Sequence, residues 1–115
     1  DAIVIAAPFW DLAFPALLKV YIENVSVEGI TFGCNASGCF GICRAQRMLF
    51  LTTRGGSYDG APDEMGARYL EALCGFFGIP RFDCVAADGL DLGLRPVEEI
   101  LAEAKSKAAA LAAAL

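Results

Sequence analysis

The apolar positions of this chain fall into short runs whose period changes several times. Ala2 to Ala7 is apolar throughout and β-branched at Ile3, Val4 and Ile5, until Pro8 stops it. Such an unbroken run predicts a strand buried on both faces, as in a parallel sheet. Pro15 suits the first turn of a helix, where its missing N–H costs nothing. Behind it Leu17, Leu18, Tyr21, Ile22 and Val25 recur at helical spacing and predict one buried face. Gly29 to Arg44 loses that period, is rich in glycine, and predicts a short hairpin turning at "NASG". Met48 to Thr53 predicts a second strand. Pro62 restarts a helix with Asp63 and Glu64 in its first turn, where they complement the dipole. Met65, Tyr69, Leu73, Phe76 and Phe77 form its expected apolar face, and Gly78 with Pro80 ends it. Phe82 to Ala87 predicts a third strand. Pro96 opens a last helix, with Glu98 and Glu99 near its start and Ile100, Leu101, Ala104, Ala108 and Leu111 along one side.

The order is strand, helix, hairpin, strand, helix, strand, helix, with no repeat and no linker. That alternation predicts an α/β sheet with right-handed crossovers. Ligands of such sheets bind beyond the carboxyl ends of the strands. Two loops leave that edge, Pro8 to Phe14 and Arg54 to Ala61. The second is unusual: the strand "LFLTT" runs into an arginine, two glycines and a "SYDG" turn.

Composition narrows the chemistry. The net charge is −5 and no basic run exists, which argues against nucleic acid and anionic membrane surfaces as partners. Every apolar run is interrupted well short of the roughly 18 residues a membrane helix needs. The chain has no histidine, which excludes Ser-His-Asp and Cys-His catalysis and histidine-containing zinc sites. Five cysteines without a secretory leader predict a reduced, cytoplasmic protein with free thiols. Cys34, Cys39 and Cys43 do not have the C-x2-C spacing of zinc sites. An iron–sulfur cluster would need Cys74 or Cys84, which read as small buried residues of a helix and a strand. No metal is expected. Asp59 and Glu64 read as a solvated helix start rather than an acid–base pair. The chain begins on a strand without an initiator Met, which suggests the later portion of a longer protein.

Taken together, "APFWDLAFPALLKVYIENV", "TTRGGSYDG" and "ALCGFFGIPRFDCVAADGL" resemble the FMN-dependent NADH:quinone oxidoreductases, or azoreductases, over essentially the whole chain. The resemblance implies part of a flavodoxin-like three-layer sandwich: strands three to five of a five-stranded parallel sheet, helices on both faces and a short hairpin. Residues 1–115 would be the C-terminal part of one domain, and the family's serine-rich phosphate loop has no counterpart here. The implied cofactor is FMN, with NADH or NADPH as reductant. The implied reaction is two-electron, ping-pong reduction of a quinone or azo compound, in a homodimer. Hydride passes to and from the flavin itself, so no catalytic side chain is required.

By the same resemblance, Phe9, Trp10, Asp11 and Leu12 form one flavin-ring loop, and Thr53, Arg54, Gly55 and Gly56 the other. Phe9 and Trp10 would supply aromatic walls. The glycines would let backbone N–H groups approach the ring's N1/O2 edge. The family often has Asn where this chain has Asp11, and an ionised Asp cannot donate a hydrogen bond. Arg54 would hold a carboxylate, of its own loop or of the partner subunit. A flavodoxin-type electron carrier, or a fragment unable to hold FMN, is the alternative reading.

Overall fold

A computed structural model describes all residues, 1–115. The elements run β1 Ala2–Ala6, α1 Ala16–Val25, β2 Phe32–Asn35, β3 Gly38–Gly41, β4 Arg47–Thr53, α2 Met65–Phe77, β5 Phe82–Ala87 and α3 Val97–Ala112. Strands β1, β4 and β5 form a parallel sheet in that order. Ile3 pairs with Met48, and Phe50 with Cys84. β2 and β3 form a separate antiparallel hairpin whose turn is the expected "NASG". No helix is long and apolar enough to cross a membrane.

Period-two alternation sends β4 side chains to opposite layers. Met48 and Phe50 join Ile22, Leu70, Leu73, Cys74 and Phe77 in the main core, with Ile3 and Ile5 against them. This is the layer of α1 and α2. Helix α3 lies on the other face, over β5, where Ile100 is buried and Leu101, Ala104, Ala108 and Leu111 are half-buried. Those are the positions its sequence pattern indicates.

Three expectations change. β1 is covered on one face only: Ala2, Val4 and Ala6 are exposed, because α3 covers β5 and not β1. In α1 only Ile22 is buried, while Leu17 is 80% and Tyr21 61% exposed. The helix touches the sheet along a narrow seam, and its outer apolar residues meet nothing. In α2 the buried set is Gly66, Leu70, Leu73, Cys74 and Phe77, one position on from the expected phase, and Met65 and Phe76 are exposed. Gly66 accounts for the shift. A Cβ there would crowd the Ala13 carbonyl, so the helix approaches the first loop through its smallest residue.

The hairpin docks on the far end of α2. The rings of Phe32 and Phe76 stand 4.7 Å apart, and the Cys43 N–H donates to the Phe77 carbonyl at 3.0 Å. Gly41 lies against the backbone of Phe77 and Gly78, with no room for a Cβ. Gly78 ends α2 in the left-handed conformation, φ 75°. Gly41→Ala must push the hairpin off the helix. It is expected to lower the unfolding free energy by about 1–3 kcal/mol, read from the urea midpoint, and an unchanged midpoint would show the contact to be soft.

Candidate functional site

Both loops do leave the carboxyl edge of the sheet, side by side. The first is tied to β4 by the Ala7 N–H on the Leu51 carbonyl and the Phe9 N–H on the Thr53 carbonyl, both at 3.0 Å. It then turns sharply. Asp11 and Leu12 have φ of 52° and 67°, the only non-glycine residues in the left-handed region. The Ala13 N–H closes the turn on the Trp10 carbonyl at 3.0 Å. Asp tolerates that conformation, whereas Leu rarely adopts it. Strain of this kind concentrates at functional sites. The loop is held from behind, where the Met65 N–H donates to the Leu12 carbonyl at 2.8 Å.

The second loop is braced by a segment that the sequence marks only as irregular. The carbonyls of Arg54, Gly55 and Gly56 accept from the N–H groups of Leu90, Asp91 and Gly89 at 2.9–3.0 Å. Asp88 accepts the Tyr58 N–H at 3.1 Å. Space for a Cβ on Gly55 is taken by the Asp91 carboxylate, and on Gly56 by the Tyr58 ring. The glycine pair is therefore explained by packing within the protein.

Arg54 joins the two loops. Its side chain is 4% exposed and lies 3.4 Å from both Glu64 and Asp88. Its guanidinium is 5.6 Å from the centre of the Phe9 ring, a cation–π distance. The carboxylate that Arg54 holds thus lies within its own chain. Glu64 is buried rather than solvated, and α2 begins after it, not at Pro62. It is the N-cap, accepting from the Gly66 and Ala67 N–H groups at 2.7 and 2.9 Å. Asp59 is exposed and makes no pair with it.

The eight expected residues divide by role. Phe9 is half-buried and packs against Tyr58, ring centres 4.5 Å apart. Trp10 is 61% exposed and is the free aromatic face. With Phe14, Met65 and Tyr69 it borders a hollow of about 550 Å³. Asp11 and Leu12 supply the strained turn, and Thr53 anchors Phe9. The N–H groups of Trp10, Asp11, Leu12, Gly55 and Gly56 donate to nothing in the protein. Tyr58, Asp88 and Asp91 are additions that sequence reading did not make, and Glu64, which it reads as solvated, joins them. A larger polar cleft of about 920 Å³ runs along the outer edge of β5. Cys84 lines it, and desolvation there raises its thiol pKa to about 11, despite an otherwise exposed residue. Its charges are mixed in sign, and the donor row lies in the loops instead.

Glu64→Ala leaves Arg54 buried with one anion and removes a helix cap. Its expected cost is about 3–5 kcal/mol in chemical unfolding. Glu64→Gln keeps an acceptor for the cap and is expected to recover about 1 kcal/mol of that. A cost under about 1 kcal/mol for Glu64→Ala would assign the ion pair no structural weight.

The family described as having the flavodoxin-like fold matches residues 1–112. An FMN-dependent NADH:quinone oxidoreductase of Clostridium perfringens is 47% identical over 112 residues. One from Lachnoclostridium phytofermentans is 39% identical over the same length. Each match covers 97% of this chain and 57% of the relative, so the chain spans a little over half the length of these proteins. Among solved structures, an azoreductase from Bacillus anthracis superposes with a TM-score of 0.89 at 30% identity, covering all of this chain and 57% of the other. An FMN-dependent NADH-azoreductase from the same species, solved with FMN, gives 0.83 at 28% identity, covering 92% of this chain and 51% of the other. The parallel three-stranded sheet, its helices on both faces and the matched sequence together establish that this chain belongs to the flavodoxin-like family.

Proposed function

We propose that residues 1–115 are the C-terminal part of one flavodoxin-like domain in an FMN-dependent NAD(P)H oxidoreductase that reduces quinones or azo compounds. The names of the relatives support the reaction class. The observation that carries the cofactor is the row of unspent N–H groups on two rigid loops at the carboxyl edge of the sheet. A flavin ring presents acceptors along one edge and two apolar faces. Gly55 and Gly56 would donate to the N1/O2 side, and the backbone of Trp10 to Leu12 to the rest of that edge. Trp10 would cover a face. Asp11, as a carboxylate, would contribute its N–H and not its side chain.

FMN, when bound, supplies hydride acceptance and two-electron transfer. The protein supplies placement. Fixed N–H dipoles favour the negative charge that reduction brings to the ring edge, without reorganising when it arrives. The open side of Trp10 leaves room for NADH or NADPH and then for the acceptor, which favours an enzyme over an electron carrier.

Two surfaces support a longer chain and a homodimer. β1 has an open edge and an exposed apolar face, with Val4 53% exposed. Beside it lies an apolar groove of about 410 Å³ between Ala6, Leu51, Val85 and Ala104. On the opposite layer, Leu17, Val20 and Tyr21 of α1 form an unpartnered apolar strip that suits a second subunit.

The test is made on the protein extended to the length of its relatives. It is expected to bind FMN, turn yellow and reduce menadione with NADH or NADPH. Trp10→Ala is expected to weaken FMN binding about tenfold, the loss of one aromatic stack, with an unchanged melting temperature. Protein that stays colourless after soaking in FMN would end the flavin reading, and unchanged affinity in Trp10→Ala would remove Trp10 from the site.

A further inference from the structure

The hairpin carries chemistry that the flavin reading does not use. Cys34 and Cys39 are register partners on β2 and β3, with Cα atoms 4.0 Å apart, and their sulfurs are bonded. This corrects the expectation of five free thiols: three remain free, Cys43, Cys74 and Cys84. Both residues of the bonded pair are exposed, on either side of the turn; Cys84 is exposed as well but has no cysteine beside it, and the other two differ in place. Cys74 is buried in the main core, and burial pushes its thiol up to about 11. Cys43 is half-buried beneath the hairpin, and burial raises its thiol too.

The bond is not what holds the hairpin in shape. Its sequence separation is only 5, so it constrains the unfolded chain less than a long-range bond would. The turn is held on its own account, the Asn35 carboxamide accepting the Ser37 N–H at 2.8 Å. The base is held by the Phe32–Phe76 rings, the Cys43 to Phe77 hydrogen bond and the Ile42 N–H on the Thr31 carbonyl at 3.0 Å. Remove the bond, and both ends still keep the two sulfurs facing each other across the ladder. A pair that is preorganised when reduced and solvent-accessible when oxidised can pass in either direction.

We propose that Cys34 and Cys39 form a reversible dithiol–disulfide redox site, with a low-molecular-weight disulfide such as oxidised glutathione as its oxidant. One thiolate attacks the small disulfide, forming a mixed disulfide and releasing one small thiol. The other thiolate attacks the protein sulfur of that mixed bond, forming Cys34–Cys39 and releasing the second small thiol. The pair loses two electrons and two protons, and the two small thiols carry them away. Reduction by two small thiols is the reverse. The inference is independent of the flavin reading.

The full chain is equilibrated in glutathione buffers of graded oxidised-to-reduced ratio, approached from both sides. It is then acid-quenched, unfolded, alkylated with iodoacetamide and weighed. Five labels are expected at the reducing limit and three at the oxidising limit, with one reversible two-label step between them. Cys34→Ser is expected to abolish that step. Reduction is expected to lower the melting temperature by no more than about 8 °C, the effect of reopening so short a loop. Five labels in every buffer, three labels even at the reducing limit, a two-label step that survives Cys34→Ser, or a larger fall in melting temperature on reduction would each overturn the proposal.

Discussion

A guanidinium only 4% exposed to solvent sets the terms for both loops. Removing such a charge from water costs several kcal/mol unless anions and hydrogen-bond acceptors close around it. Arg54 sits at the exit of β4, and its partners must come from elsewhere in the chain. Glu64 comes from the start of α2, Asp88 from the exit of β5, and the Phe9 ring from the exit of β1. Each has a second task. Glu64 caps α2, Asp88 holds the Tyr58 N–H, and Phe9 packs on Tyr58. Matching one buried charge therefore fixes four segments at once. The match is incomplete, for Nε of Arg54 has no partner in the protein. A buried pair of this kind is weak as a source of net stability and strong as a constraint on which arrangement is adopted.

That constraint explains how a loop can offer free N–H groups and still be rigid. Backbone groups that face no partner normally mean a mobile segment. Here the carbonyls of Arg54, Gly55 and Gly56 are all used inward, against residues 89–91, while the N–H groups of the glycines have no acceptor in the protein. The first loop reaches the same result through a strained turn at Asp11 and Leu12. Donors held in place before a ligand arrives lose little order on binding it, which is the physical content of preorganisation.

The layered α/β order, the hairpin turn and the buried face of α3 were legible in the sequence, because each depends on local period or turn chemistry. The resemblance singled out two loops, and the structure sets them side by side at the carboxyl edge of the sheet. The charge network was not. Arg54 and Asp88 are 34 positions apart, and acids beside a helix start look solvated unless the partner is known. The phase of α2 was misread for a related reason: Gly66 has no apolar side chain to count, yet it makes the closest approach. Exposure of Leu17 and Tyr21 in α1 has another cause. An amphipathic pattern records that a face is to be covered, and says nothing of whether the cover lies in the same chain. The cysteine pair escaped because spacing was weighed against metal sites, whereas register across the turn decides the matter.

Helix α2 separates the two chemistries. Its first turn is capped by Glu64 and so belongs to the Arg54 network, while its last turn carries the hairpin at Phe77 and Gly78. Its 13 residues span about 20 Å. Between the ends, Leu70, Leu73 and Cys74 are locked into the core beneath the sheet. A change at the hairpin tip can reach the loops only by moving that helix as a body, which would unpack the core and pull Glu64 from Arg54 together. Both costs are large against the small geometric difference between a dithiol and a disulfide. The fold thus insulates the loops from the thiol pair: electrons can be exchanged at one end of α2 without disturbing the donor row at the other.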